Sequence, residues 1–95
     1  MEKFYDFYEE NIDQLNSFIP IVERVHGPHH QEFYEVARLF ERVKAKVRAK
    51  DSNMDDEFLR LEKVTDSYKI PDDVCETYEH VYKVLEKLNS LYDNK

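Results

Sequence analysis

The chain has 95 residues, a single cysteine and 21 acidic against 14 basic residues, which gives a formal net charge of −7. This excess of acids argues against general affinity for nucleic-acid phosphates or anionic membranes, because both need clustered Lys and Arg. A lone cysteine forms no internal disulfide, and there is neither a signal-peptide pattern nor an apolar run of about 20 residues. We therefore expect one cytoplasmic domain, 1–95, without a membrane span.

Helix 1 is predicted over Glu2–Val25, because apolar side chains recur there every three or four residues. The members of this stripe are Phe4, Tyr8, Ile12, Leu15, Ile19, Val22 and the flanking His26. Pro20 has no N–H for the carbonyl of Asn16, so we expect a kink or a short break at that point. Such a feature either opens a pocket or bends the helix around its neighbours, and the bend is the simpler interpretation.

The first corner falls at Gly27 and Pro28, where the only glycine of the chain precedes a proline. Glycine closes helices in the left-handed conformation and proline begins them, so we expect a positive φ at Gly27 and helix 2 over Pro28–Lys50. Six cations lie toward the end of helix 2, at Arg38, Arg42, Lys44, Lys46, Arg48 and Lys50. Compensation of the helix dipole by solvated cations is favoured over a docking surface for an acidic partner or RNA.

The second corner is predicted at Asp51–Glu57, with Ser52 or Asn53 as the cap of helix 3. Neither Gly nor Pro occurs at Asp51–Asn53, so this stretch is either a true turn or part of one long bent helix. The apolar positions of helix 3 are Met54, Phe58, Leu61, Val64 and Tyr68.

The third corner is predicted at Tyr68–Asp73, where Pro71 favours the start of helix 4 over Asp72–Tyr92. The stripe of helix 4 comprises Val74, Tyr78, Val81, Leu85, Leu88 and Tyr92. Four amphipathic helices with three short corners predict an all-α fold, an up-down-up-down antiparallel four-helix bundle. A three-helix arrangement that completes its core by dimerising is the alternative.

Few side chains point to chemistry. His26, His29, His30 and Glu32 offer imidazole and carboxylate donors that suit zinc or another transition metal, but they straddle a corner, and structural or solvated roles are favoured. Cys75 is predicted to be a small buried hydrophobic residue, and a reactive thiol is the alternative. His80 is predicted to lie at the surface or the boundary of the core.

Two segments carry a family resemblance. The run from Ile21 to Val36, followed by Leu39 and Phe40, resembles the first helical hairpin of the iron–sulfur cluster repair di-iron proteins, which are hemerythrin-like (HHE) bundles. The run from Leu61 to Tyr68 resembles their second hairpin, together with Pro71, Cys75, Thr77, Tyr78 and Tyr82. The resemblance implies a hemerythrin-like fold.

The metal ligands of that family do not carry over. Each half of the family's bundle supplies one histidine and one His-x-x-x-Glu motif to two irons. The two lone histidine positions fall at Tyr5 and near Asp51. The first His-x-x-x-Glu motif is missing, because the chain passes from Lys50 straight into the second half. The second motif would lie at or beyond Lys95. The resemblance therefore implies a hemerythrin-like bundle without the di-iron centre or any other cofactor.

We accordingly expect a non-enzymatic protein that acts by binding another protein or itself. The rival hypothesis is a metal-binding or redox protein that holds iron or zinc with an atypical ligand set. That set comprises Tyr5, His26, His29, His30, Glu32 and Asp51. A regulator that contacts nucleic acid through helix 2 is the least favoured hypothesis.

Overall fold

The computed structural model describes every residue from Met1 to Lys95 and contains four helices. They are α1 (Glu2–His26), α2 (Glu32–Arg48), α3 (Asp55–Val64) and α4 (Glu76–Asp93). Helices hold 74% of the residues and there is no strand, which confirms the all-α prediction. None of the four combines the length and the apolar composition needed to cross a membrane.

Helix α1 continues through Pro20, so the short break expected there is absent. Pro20 and Asn16 are both on the exposed side of the helix. Water can therefore bond to the carbonyl that Pro20 leaves without a donor, and the missing hydrogen bond does not break the helix.

The expected left-handed conformation of Gly27 is also wrong, because its φ of −51° and ψ of −42° are those of an ordinary helical residue. Glycine is required here by close packing. A Cβ atom at this position would lie 2.7 Å from Cζ of Tyr34 and 2.3 Å from the carbonyl oxygen of Glu23. The corner then turns through residues 27–31, so α2 begins at Glu32 and not at Pro28.

Asp51–Asn53 is a true turn between α2 and α3, and a continuous helix is excluded. Lys50 takes a positive φ of 58° after the end of α2. The N-cap residue of α3, Met54, makes no side-chain cap bond, but the side-chain oxygen of Asn53, one of the two predicted caps, accepts from the N–H of Asp55 at 3.3 Å. The Met54 N–H donates to the hydroxyl of Tyr92, 2.8 Å away at the end of α4. That hydroxyl in turn donates to the carboxylate of Asp55, and burial raises the pKa of Tyr92 to about 12.

The connection from α3 to α4 is longer than predicted. The Thr65 hydroxyl donates to the carbonyl of Leu61 and accepts from the N–H of Tyr68, which ends α3 at Val64. Asp66, Ser67 and Tyr68 then have φ values of 53°, 57° and 62°, a left-handed turn without glycine. Each non-glycine residue there costs about 1–2 kcal/mol. Burial of Tyr68, whose hydroxyl donates to Asn89, offsets this strain.

Helix α4 begins at Glu76, so Pro71 does not start it as predicted. The residues before Glu76 cross the end of the molecule, where Asp73 bonds to His30. Asp73 is thus unavailable to the first turn of α4, and Glu76 and Glu79 supply the acids there.

Helices α1 and α4 pack side by side in opposite directions. On α1 and α4, Phe4 lies near Tyr92 while His26 lies near Cys75 at the other end. The core between the helices is almost wholly apolar and rich in aromatic rings. Among the residues of the predicted stripes, Leu15, Phe58, Leu61, Tyr78 and Leu85 are buried, and Ile12 is half-buried. Phe40 of α2 is also buried, and Phe7 of α1 is half-buried.

Helix α3 is fastened to α2 by the only buried charged side chain, Glu57, which is 0% exposed. Its Oε1 accepts from Nζ of Lys46 at 2.9 Å. Its Oε2 lies 3.0 Å from Arg42, but it is the one buried side-chain oxygen without a hydrogen bond of acceptable geometry. The contact with Arg42 is therefore an ion pair by distance only, and Lys46 is the better partner.

We predict that Lys46→Met destabilises the fold more than Glu57→Gln. The first change leaves a buried carboxylate with one poorly oriented cation, which we expect to cost about 2–3 kcal/mol. The second leaves a neutral group that still accepts from Lys46, at a cost of about 1 kcal/mol. Urea unfolding measures both. Arg60→Met, which removes an exposed pair with Asp56, is the control and should cost about 0.5 kcal/mol or less. The opposite ranking of the two main variants would contradict this account of the α2–α3 contact.

Candidate functional site

A histidine and the only cysteine meet where the α1–α2 corner approaches the start of α4. Nε2 of His26 lies 3.2 Å from Sγ of Cys75, although the two residues are 49 positions apart. Cys75 is exposed and is the N-cap residue of α4, so the prediction of a buried thiol is wrong. The physical reason is the late start of α4, which leaves Cys75 on the rim of the molecule.

A thiol and an imidazole at this separation are within hydrogen-bonding distance, and in cysteine enzymes a histidine so placed serves as the base for the attacking sulfur. The remaining requirement of a catalytic site, a third group that orients the base, has no counterpart among the hydrogen bonds of His26. The pair therefore supports simple thiol reactivity better than catalysis.

His30 ties the same corner to the segment that precedes α4. Its Nε2 lies 2.9 Å from Oδ1 of Asp73, and its Nδ1 lies 3.2 Å from Oε1 of Glu32. The His30 side chain is 14% exposed. His30 therefore links the α1–α2 corner to the first turn of α2 and to the segment that precedes α4, which is a structural role.

Two buried tyrosines lie beneath these histidines. The rings of His26 and His30 both meet the ring of Tyr78 edge-on, at centroid distances of 5.5 and 5.7 Å. The Tyr78 hydroxyl donates to that of Tyr82 at 3.0 Å. Burial raises the pKa of both tyrosines, so both remain neutral hydrogen-bonding groups near pH 7.

The candidate metal ligands do not come together. No three His, Cys, Asp or Glu side chains are close enough to hold one ion. His26 and His30 have the partners described above, and His29 is exposed. Tyr5 lies 21 residues before His26 on the same helix, about 31 Å away, and Asp51 lies in the α2–α3 corner, where its carboxylate accepts from the N–H of Asn53.

Most of the predicted basic surface of α2 is neutralised. Arg42 and Lys46 pair with the acids of α3, Lys44 pairs with Glu41, and Arg38 pairs with Glu35. Only Arg48 and Lys50 of the six cations have no ion-pair partner. Little basic surface is left for RNA or an acidic partner.

An open cavity of about 370 Å³ lies between α1 and α2. Its apolar lining includes Leu15, Ile19, Pro20, Ala37 and Phe40. Pro20 and Ala37 are short side chains, and they leave space where longer ones would fill it. Pro20 thus lines a pocket, as one interpretation of the sequence expected, but it does not break its helix.

His80 lies outside both features, at the boundary of the core as predicted. Its ring meets Phe18 edge-on at 5.7 Å, and its Nε2 contacts the side-chain oxygen of Gln14.

No known protein family, curated protein or solved structure matches this chain.

We predict that His26→Ala slows alkylation of Cys75 by iodoacetamide several-fold at neutral pH, because the sulfur loses the adjacent imidazole that could assist its reaction as a base. Cys75 is the only thiol, so the loss of free thiol reports on one site. His29→Ala is the matched control, since His29 is exposed and has no side-chain hydrogen bond to the thiol. Equal rates for the wild type and His26→Ala would show that the contact has no effect on the sulfur.

Proposed function

We propose that this chain is a hemerythrin-like bundle in up-down-up-down order that holds no di-iron centre, catalyses no reaction and acts by binding another protein. The bundle order is supported by contacts between helices that follow one another in the chain. Glu57 of α3 meets Lys46 near the end of α2, and Tyr92 near the end of α4 meets Phe58 of α3, with ring centroids 5.0 Å apart. Gly27 and Tyr34 meet at the α1–α2 corner.

We propose a bundle without a di-iron centre because of the residues that stand at the family's ligand positions. Tyr5 stands at one histidine position and packs edge-on against Phe4, at 5.4 Å. The buried polar residues are Glu57, Thr65 and Asn89, all with hydrogen-bonding partners in the chain. A metal centre in a bundle interior needs several buried carboxylates or imidazoles, and these would carry a heavy desolvation cost without the ion.

The open cavity between α1 and α2 is the observation that carries the binding role. It combines apolar lining with polar side chains on both helices, as binding sites commonly do. Binding of a different protein is favoured over self-association, because two copies that each carry −7 repel one another.

Metal analysis and thermal unfolding of untagged protein separate this proposal from the metal-binding rival. We predict less than stoichiometric iron, zinc or manganese and an unchanged melting temperature after a chelator is added. A structural metal would contribute several kcal/mol, which the chelator would remove. Stoichiometric metal with chelator-sensitive unfolding would overturn the metal-free proposal and favour the rival.

A further inference from the structure

An acidic stripe, interrupted by Asn16 and Pro20, runs along α1 and reaches the cavity at its C-terminal end. Residues three or four apart lie on one face of a helix, and one such face of α1 carries no apolar side chain except Pro20. Its members are Glu2, Asp6, Glu9, Asp13, Asn16, Pro20 and Glu23. Asn16, Pro20 and Glu23 also line the cavity, so the stripe and the cavity form one surface.

The carboxylates of this stripe have no cation within the chain. None of Glu2, Asp6, Glu9, Asp13 and Glu23 takes part in an ion pair. On the opposite side of the cavity the charges are already engaged. Lys44 donates to Asn16 at 2.9 Å and pairs with Glu41, and Arg38 pairs with Glu35. Among the six cations of the α2 region, only Arg48, at the end of α2, and Lys50, just after it, have no ion-pair partner, so the five unpaired carboxylates of the stripe leave this surface negative.

We propose that the α1–α2 surface binds a basic amphipathic helix of another protein, an inference that rests on the proposed binding function and names its partner's chemistry. Apolar side chains on one face of such a helix enter the cavity beside Ile19, Ala37 and Phe40. Lys or Arg side chains that flank this face lie along the acidic stripe. A helix laid into a groove between two helices is an established mode of recognition, and the unpaired acids provide the charge complementarity.

Three designed helical peptides of equal length and identical leucine positions test this inference. Their polar positions carry lysine, glutamine or glutamate, and binding is followed by fluorescence anisotropy at low and high salt. We expect the leucine–lysine peptide to bind at least about tenfold more tightly than the leucine–glutamine peptide, and more weakly at high salt. The leucine–glutamate peptide should not bind.

Two pairs of variants locate the binding. Asp13→Asn with Glu23→Gln removes two charges of the stripe and should weaken the lysine peptide about tenfold. Glu86→Gln with Asp72→Asn removes two exposed acids elsewhere and should not affect it. Ala37→Leu fills the cavity and should abolish binding, and thermal unfolding checks that each variant is folded.

The outcomes separate the inference from the function on which it rests. If the glutamine or glutamate peptide bound as tightly as the lysine peptide or more tightly, and Ala37→Leu abolished that binding, the partner would not be basic. The cavity would still have a binding role. Failure of all three peptides to bind, or binding unaffected by Ala37→Leu, would overturn both. If the two pairs of charge variants weakened binding of the lysine peptide equally, the effect would come from net charge. The proposal of a docking surface would then be overturned.

Discussion

The packing of α1 against α4 is the contact on which the rest of the structure depends. Helix α1 is the longest element, and the aromatic contact of Phe4 with Tyr92 sets one end of its register on α4. At the other end, His26 meets Cys75 at the start of α4. The same packing turns the apolar stripe of α1 inward, so the acidic stripe is left at the surface beside α2. Tyr92 also serves α3 by accepting from the N–H of Met54, so a single side chain of α4 fixes both α1 and α3.

Much of the fold could be predicted from periodicity alone, because amphipathic stripes report directly on which face of a helix is buried. The ends of the helices could not be predicted as well. Gly27 illustrates the difficulty, since a glycine that closes a helix and a glycine that makes room for Tyr34 have the same local sequence. The left-handed turn at Asp66–Tyr68 was missed because it contains no glycine, and its strain is offset by the distant contact between Tyr68 and Asn89. Pro71 does not start α4, because the chain passes through a turn at Asp72 and Asp73 before the helix begins at Glu76.

The candidate sites were harder to predict than the fold. The sequence marks His26 as a candidate metal donor and predicts a buried thiol for Cys75, but their proximity depends on the packing of α1 on α4 and not on any local pattern. The neutralisation of the α2 cations depends in the same way on the packing of α3, which brings Glu57 between Arg42 and Lys46. The acidic residues of α1 can be seen in the sequence as individual charges. Their significance as a stripe emerges only where Asn16, Pro20 and Glu23 reach the cavity.

The order and register of the helices underlie both the hemerythrin-like proposal and the binding surface, and a nitroxide label on Cys75 tests them most directly. As the only cysteine, Cys75 can be labelled without other changes to the chain. Paramagnetic broadening of amide signals then reports which residues lie near the start of α4. The account predicts strong broadening at the end of α1 and at the α1–α2 corner, around His26 and His30, with little effect at Phe4 or Met54. Strong broadening at Phe4 and little at His26 would contradict the antiparallel packing of α1 on α4.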